Sequence, residues 1–197
     1  MTSDELMRIT ALVDQYAIKV LPTPRYLHSF RVATLARELA IRFGIDEQEA
    51  FLAGLAHDIC KAEGSDRLFS LVRSDGYGIG DIEAKKPSLL HGRAAAVLLE
   101  RDFSVDSVSI LDAVRHHTFG SPSFDSLGKI VYVADKLEPG RQDIDPLHRT
   151  TALEKDLDGM TRMVAQEGVR YLEHRGHEIS PETMEMLTVL GERGETA

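Results

Sequence analysis

Residues 46–60 read "DEQEAFLAGLAHDIC", acidic at the start, apolar from Ala50 onward, with His57 and Asp58 near the far end. Carboxylates in a first turn followed by an apolar body are what an amphipathic helix shows on entering a core. A charged pair at the buried end of such a helix is costly unless a hydrogen-bonded neighbour, a salt bridge or a metal ion satisfies it. This helix, expected over Asp46–Lys61, sets the reading of the rest of the chain.

Helical periodicity continues on both sides. Ser3 or Asp4 can cap a first helix with Leu6, Ile9, Leu12, Val13 and Tyr16 on one stripe. "LPTPR" (21–25) ends it, because two prolines in three positions do not continue a helix. A second helix is expected from about Arg25 to Phe43, with Val32, Leu35, Ala36 and Leu39 inward and Gly44 as its cap. Residues 62–88 hold a short helix near "SDRLFSLVR" and a Gly-rich turn, "SDGYGIGD". Further helices are expected at 88–103, 105–117, 125–138, about 151–175, and from Ser180-Pro181 to about Leu190. "KIVYVAD" (129–135) is the only β-like run, and its flanks favour a helix. Repeats, linkers and low-complexity tracts are absent. The expectation is an all-α fold, one helical domain over 1–197.

Composition narrows the function classes. With 197 residues, 43% hydrophobic and 28% charged, the chain is long enough for a substantial core. A formal net charge of -9 argues against a nucleic-acid partner bound through a broad basic face. It leaves room for a small phosphate-bearing ligand held by local cations and a metal. Cys60 is the sole cysteine, so an intrachain disulfide is excluded, which fits a reducing cytoplasm. The first residues lack the apolar core of a signal peptide, and no apolar run approaches the roughly 18 residues of a membrane span. A soluble cytoplasmic protein is expected. The polar-faced helix at 151–175 reads equally as a solvated face or a homodimer contact.

Eight histidines are present, and their helical faces matter more than their number. His28 shares the stripe of Val32, Leu35 and Leu39. His91 stands one turn before Ala94 and Ala95, and His117 continues the stripe of Ile110, Ala113 and Val114. Asp135 follows Val131 and Tyr132 by one turn in the most apolar helix. His148, His174 and His177 read as surface residues. One histidine on an apolar stripe is ordinarily a hydrogen-bonded core residue. Several His and Asp on separate helices of one small domain are hard to satisfy independently, and a bivalent metal satisfies them together.

With these residues assembled, the chain resembles the HD-domain metal-dependent phosphohydrolases. Their order His … His-Asp … Asp is filled by His28, His57-Asp58 and Asp135, and the two further histidines of dinuclear branches by His91 and His117. "RYLHSFRVA" (25–33), "LAGLAHDICK" (52–61), "LLHG" (89–92), "RHHT" (115–118) and "KIVYVADKLEPGR" (129–141) are similar to segments of the YqeK-type branch. Two positions depart from that pattern: Arg93 replaces a small or Pro-like residue, and His116 stands where an aromatic is more usual. The similarity spans about 25–141, the expected metal-binding core, with C-terminal helices over about 151–193.

That branch comprises symmetrical bis(5′-nucleosyl)-tetraphosphatases, which split diadenosine tetraphosphate into two ADP. The resemblance therefore implies a dinucleoside polyphosphate substrate and a dinuclear centre, iron before Mn, Co, Mg or Zn. It implies one metal on His28, His57, Asp58 and Asp135, and a second on His91 and His117, with Asp58 bridging. A hydroxide generated there would attack a central phosphorus, with Asp58, Lys61 and Thr118 as catalytic residues. Arg25, Lys61, His116, Thr118 and Arg141 would contact substrate; between His116 and His117, the inward stripe favours His117 as ligand. Three other functions are compatible with the same residues: an HD phosphohydrolase for another nucleotide, a His/Asp di-iron oxygenase, and a non-catalytic metal- or nucleotide-binding module.

Overall fold

The computed structural model describes residues 1–142 and 144–195, and among these the regular structure is helical throughout. Helix α1 (Ser3–Val20) is capped by Thr2, neither Ser3 nor Asp4. The Thr2 hydroxyl accepts from the Glu5 amide (3.2 Å) while the Glu5 carboxylate accepts from the Thr2 amide (2.7 Å), a reciprocal capping box. Its buried stripe is Leu6, Ile9, Val13 and Ala17; Leu12, expected inward, is exposed. Helix α2 (Thr23–Phe43) starts behind Pro22 with Pro24 in its first turn, where the missing amide hydrogen is harmless, and ends at left-handed Gly44.

Helix α3 (Glu47–Ala56) is the centre of the molecule, with Leu52, Ala53, Leu55 and Ala56 fully buried. Asp46 caps it by accepting from the Gln48 and Glu49 amides. The helix packs on α1 and α2. Gly54 permits that approach, because a Cβ there would lie 2.7 Å from the Ala33 Cα. The helix stops five residues earlier than the expected Lys61. The His57 imidazole takes up the Gly54 carbonyl (2.6 Å), and the chain continues through tight turns closed by Ile59 N to Ala56 O and Lys61 N to Asp58 O. His57 and Asp58 thus sit just past the helix end.

Helix α4 (Ser65–Val72) follows, then two elements not expected from sequence: the short α5 (Asp81–Lys85) and a 3₁₀ turn at Pro87–Leu90. Helix α6 (His91–Phe103) therefore begins at His91 itself rather than at residue 88. Helix α7 (Val108–His116) is capped by Ser107 and helix α8 (Ser126–Leu137) by Asp125. Helix α8 carries the β-like run and is buried on nearly every side, between α2, α7 and the C-terminal part of the chain. Full burial removes the polar alternation that would distinguish helix from strand.

The expected helix at 151–175 is two: α9 (Pro146–Leu153) and α10 (Leu157–His174). The break is specific. Arg42 donates to the carbonyls of Leu153 and Lys155, and the Asp156 carboxylate accepts from the Gly159 amide to start a new helix. Helix α11 (Pro181–Glu195) closes the chain against α10.

Candidate metal centre

Five segments converge at one end of α3. The N-terminal half of α2 brings His28, the turn after α3 brings His57 and Asp58, and the first residue of α6 is His91. His117 follows the end of α7, and Asp135 lies in the last turn of α8. All six are buried, none more than 9% exposed. Gly92 lets α6 come this close, since a Cβ there would lie 2.9 Å from the His117 ring and from the Val114 carbonyl.

The outer ring nitrogens are fixed by acceptors. Nδ1 of His57 meets Gly54 O (2.6 Å), Nδ1 of His91 meets Ser88 O (2.7 Å) and Nδ1 of His117 meets Val114 O (2.8 Å). In each case the partner is a carbonyl three residues back, in the last turn of a helix or of the 3₁₀ turn, where carbonyls lack intrahelical partners. Nδ1 of His28 meets the buried carboxylate of Glu138 at 3.1 Å. A carbonyl or carboxylate only accepts, so each Nδ1 carries the proton and Nε2 is the free atom facing inward.

Burial pushes His57 down to about 3 and His91 to about 4, against the pull of Asp58 and Asp135, so both rings are neutral at pH 7. At Asp58 burial favours the acid, yet the carboxyl is held well below its usual range, with the Arg25 guanidinium donating to Oδ2 at 2.8 Å. Asp135 is likewise held low, burial being outweighed by the Lys136 ammonium and the Arg141 guanidinium. The result is a set of lone pairs and anionic oxygens pointing at one another.

The distances make the conflict concrete. Asp58 Oδ2 lies 3.9 Å from His28 Nε2 and 3.6 Å from His57 Nε2, while Oδ1 lies 3.0 Å from His91 Nε2 and 3.7 Å from His117 Nε2. Asp135 Oδ1 lies 3.1 Å from His28 Nε2 and 3.7 Å from His57 Nε2. His91 Nε2 and His117 Nε2 stand 3.0 Å apart. The Nε2 atoms of His28 and His57 are buried without a hydrogen-bond partner. Neutral imidazoles and carboxylates arranged this way repel unless a cation sits among them, and they are the donors divalent metals select. Among the described residues, three sets of three could reach one ion: His28, His57 and Asp58; His57, His117 and Asp135; Asp58, His91 and His117.

Cations and a hydroxyl surround the six residues. Lys61 Nζ is 3.1 Å from His91 Nε2 and 3.9 Å from Asp58 Oδ1. The Thr118 hydroxyl is 3.5 Å from His91 Nε2 and 3.4 Å from His117 Nε2. Arg25 donates to Asp58 Oδ2 (2.8 Å), and Arg141 to Asp135 Oδ1 (2.8 Å). His116 stands apart, its ring edge-on to Tyr77 at 6.1 Å and to Phe124 at 6.5 Å. His174 and His177 are exposed as expected; His148 is half-buried.

The sequence reading missed Lys136, which donates to Asp135 Oδ2 (3.1 Å) and to the His117 carbonyl (2.9 Å). It also missed Glu138, which accepts from His28 Nδ1, from Arg31 Nε at 2.5 Å and from the Gly140 amide at 2.6 Å. The available signal was the spacing of His28 and Arg31, one turn apart on α2, opposite a lone acid before Pro139-Gly140. Arg93, the departure from the family pattern, is buried and paired with Asp75 and Glu83, both at 2.8 Å. It ties the Gly-rich loop to α6.

The HD domain family model matches residues 25–140, which takes in all six convergent residues. A Staphylococcus aureus protein named "Bis(5'-nucleosyl)-tetraphosphatase, symmetrical" is 34% identical over 122 residues, 61% of this chain and 62% of that protein. The chain thus matches about three fifths of that relative's length. A protein of the same name from Halalkalibacterium halodurans is 30% identical over 160 residues, 81% of this chain and 85% of its own. The crystal structure of a predicted HD superfamily hydrolase involved in NAD metabolism from Clostridium acetobutylicum superposes with a TM-score of 0.86 at 29% identity, covering 93% of this chain and 97% of that one. A family match across more than half of the sequence and a shared all-helical fold lead to one conclusion: this chain belongs to the HD domain family.

Proposed function

We propose that the protein is a metal-dependent hydrolase that splits dinucleoside tetraphosphates symmetrically, diadenosine tetraphosphate into two ADP. The observation that carries the chemistry is the convergence of four inward Nε2 atoms on two buried carboxylates. The substrate class is supported by the names of the Staphylococcus and Halalkalibacterium relatives.

In this reading His28, His57, Asp58 and Asp135 hold one divalent ion, and His91 and His117 hold a second. Asp58 would contribute to holding both, since its two oxygens face different histidine pairs. The donor set is nitrogen and oxygen only, which suits iron, manganese, cobalt or zinc, and we favour iron. Cys60 is buried, its thiol pushed up to about 12 mainly by burial, and it stays protonated and inert. A lone reduced thiol accords with a cytoplasmic protein. When bound, such a pair of ions activates water and offsets charge on the phosphoryl oxygens.

The chain's own residues supply the rest. Asp58, held ionised, orients the centre, and the Glu138 carboxylate fixes the His28 tautomer. The half-buried Lys61 ammonium beside His91 and Asp58 offers a cation to a phosphate oxygen, and the Thr118 hydroxyl offers a neutral donor beside it. Arg25 and Arg141, whose side chains keep 41% and 29% exposure, can add charge-assisted bonds to the outer phosphates. These local cations attract a polyanion to a chain whose net charge is -9. The test is anaerobic purification with metal analysis, then incubation with diadenosine tetraphosphate and chromatography of the products. ADP alone, about two per substrate, is expected; AMP with ATP would place the cleaved bond elsewhere. His57→Ala and Asp58→Ala should lose metal and turnover together, and normal turnover in either would sink the reading.

A further inference from the structure

Two separate cavities adjoin the His/Asp centre and share a wall. One, of about 370 Å³, is bounded by Tyr77, Arg115, His116 and residues Gly78–Gly80. The other, of about 580 Å³, is bounded by Lys85, Lys86, Lys136, Tyr132, Leu172 and Gly168. Leu89, Thr118 and Phe119 line both. Thr118 reaches within 3.5 Å of His91 and His117, so the shared wall begins at the centre. Thr183 anchors that wall by donating to the Phe119 carbonyl at 2.6 Å.

Each cavity is of the size and character of a small-ligand pocket. The first offers aromatic edges with few free charges: Tyr77 and His116 meet edge to face, and the Arg93 and Arg115 guanidiniums lie 5.7 and 5.5 Å from the Tyr77 ring. Arg93 in turn is pinned by Asp75 and Glu83, which holds the Tyr77 loop in place. The second combines apolar and aromatic walls with the ammonium groups of Lys86 and Lys136, while Lys85 is paired with Glu178 on the same wall. Lys136 leads to the centre, since it donates to Asp135 Oδ2.

Resting on the function proposed above, we propose that the two cavities are two nucleoside subsites, filled by opposite ends of one substrate whose phosphate chain crosses the centre beside Thr118. A symmetrical substrate has two identical ends, and two pockets meeting at one reactive point accommodate both. The site then measures phosphate number by the distance between its ends. After cleavage the same two pockets hold the two nucleoside diphosphate products side by side.

Gly168 provides a plug for the second cavity: it lies within α10 and on the cavity wall, and a Cβ there meets nothing within 4 Å. Replacing an interior helical glycine favours the helix, so Gly168→Phe should melt no lower than wild type. The experiment is calorimetric titration of the metal-loaded full chain with ADP. Wild type should bind two ADP per chain, Gly168→Phe one, and Tyr77→Ala should weaken the other site at least tenfold. One ADP per wild-type chain, or two per folded Gly168→Phe chain, would overturn the two-subsite assignment while leaving the hydrolase reading intact. No ADP bound by folded, metal-loaded wild type would overturn the nucleotide reading itself, and the subsites with it.

Discussion

Acidifying the metal-free protein from pH 7 to pH 5 should destabilise it by about 4 kcal/mol. The magnitude follows from His57 and His91, whose folded-state values are about 3 and about 4 against an ordinary 6.5. Both shifts are downward and caused first by burial, so the unfolded chain takes up protons before the folded one as pH falls. Stability is complete above about pH 7 and declines through pH 6.5 by about 1.4 kcal/mol per pH unit per ring. At pH 5 each ring has cost about 2 kcal/mol. The loss levels off near pH 4 for His91 and pH 3 for His57. Asp58 and Asp135 are shifted down from 3.8, so their contribution is lost only as pH falls below that range, outside this window. The assay is urea or thermal unfolding of chelator-treated protein followed by circular dichroism. A fall of roughly 8–16 °C in Tm is expected for a chain of this size. In His57→Asn the same pH step should cost about half as much. Equal midpoints at pH 7 and pH 5, or a higher one at pH 5, would refute the assignment of these rings as buried and neutral.

Three substitutions probe the surroundings of the centre. Glu138→Gln keeps the shape but removes the negative charge behind His28; metal affinity, measured by chelator competition, should fall about 10–100-fold with the fold intact. Gly92→Ala introduces a Cβ 2.9 Å from His117, which should cost about 1–3 kcal/mol in urea unfolding and weaken metal retention. Arg93→Ala strands the buried carboxylates of Glu83 and Asp75 and should cost about 3–5 kcal/mol; unchanged stability would mean that the Gly-rich loop is held by other contacts.

Much of the fold was legible because the helices bury one face each. The stripes of α2 and α7 and the αL glycine after α2 read correctly from local chemistry, whereas on α1 the expected stripe included Leu12, which is exposed. Local chemistry failed where a distant side chain intervened. The end of α3 depends on the His57 ring competing for the Gly54 carbonyl, and the break between α9 and α10 depends on Arg42, more than a hundred residues earlier in the chain. Neither contact leaves a periodic trace.

The same division holds at the centre. Residue type and helical face were enough to nominate His28, His57, Asp58, His91, His117 and Asp135, since buried histidines and carboxylates on separate helices need a common partner. His117 and not its neighbour His116 joins the cluster, as the stripe of α7 implies. What only the tertiary structure decided is the supporting shell: Glu138 behind His28, Lys136 behind Asp135, Arg93 locking the Gly-rich loop, and two cavities meeting at Thr118. A ligand can be nominated from its own face of a helix. A residue that orients a ligand, or a void between elements, exists only through the packing of segments far apart in sequence.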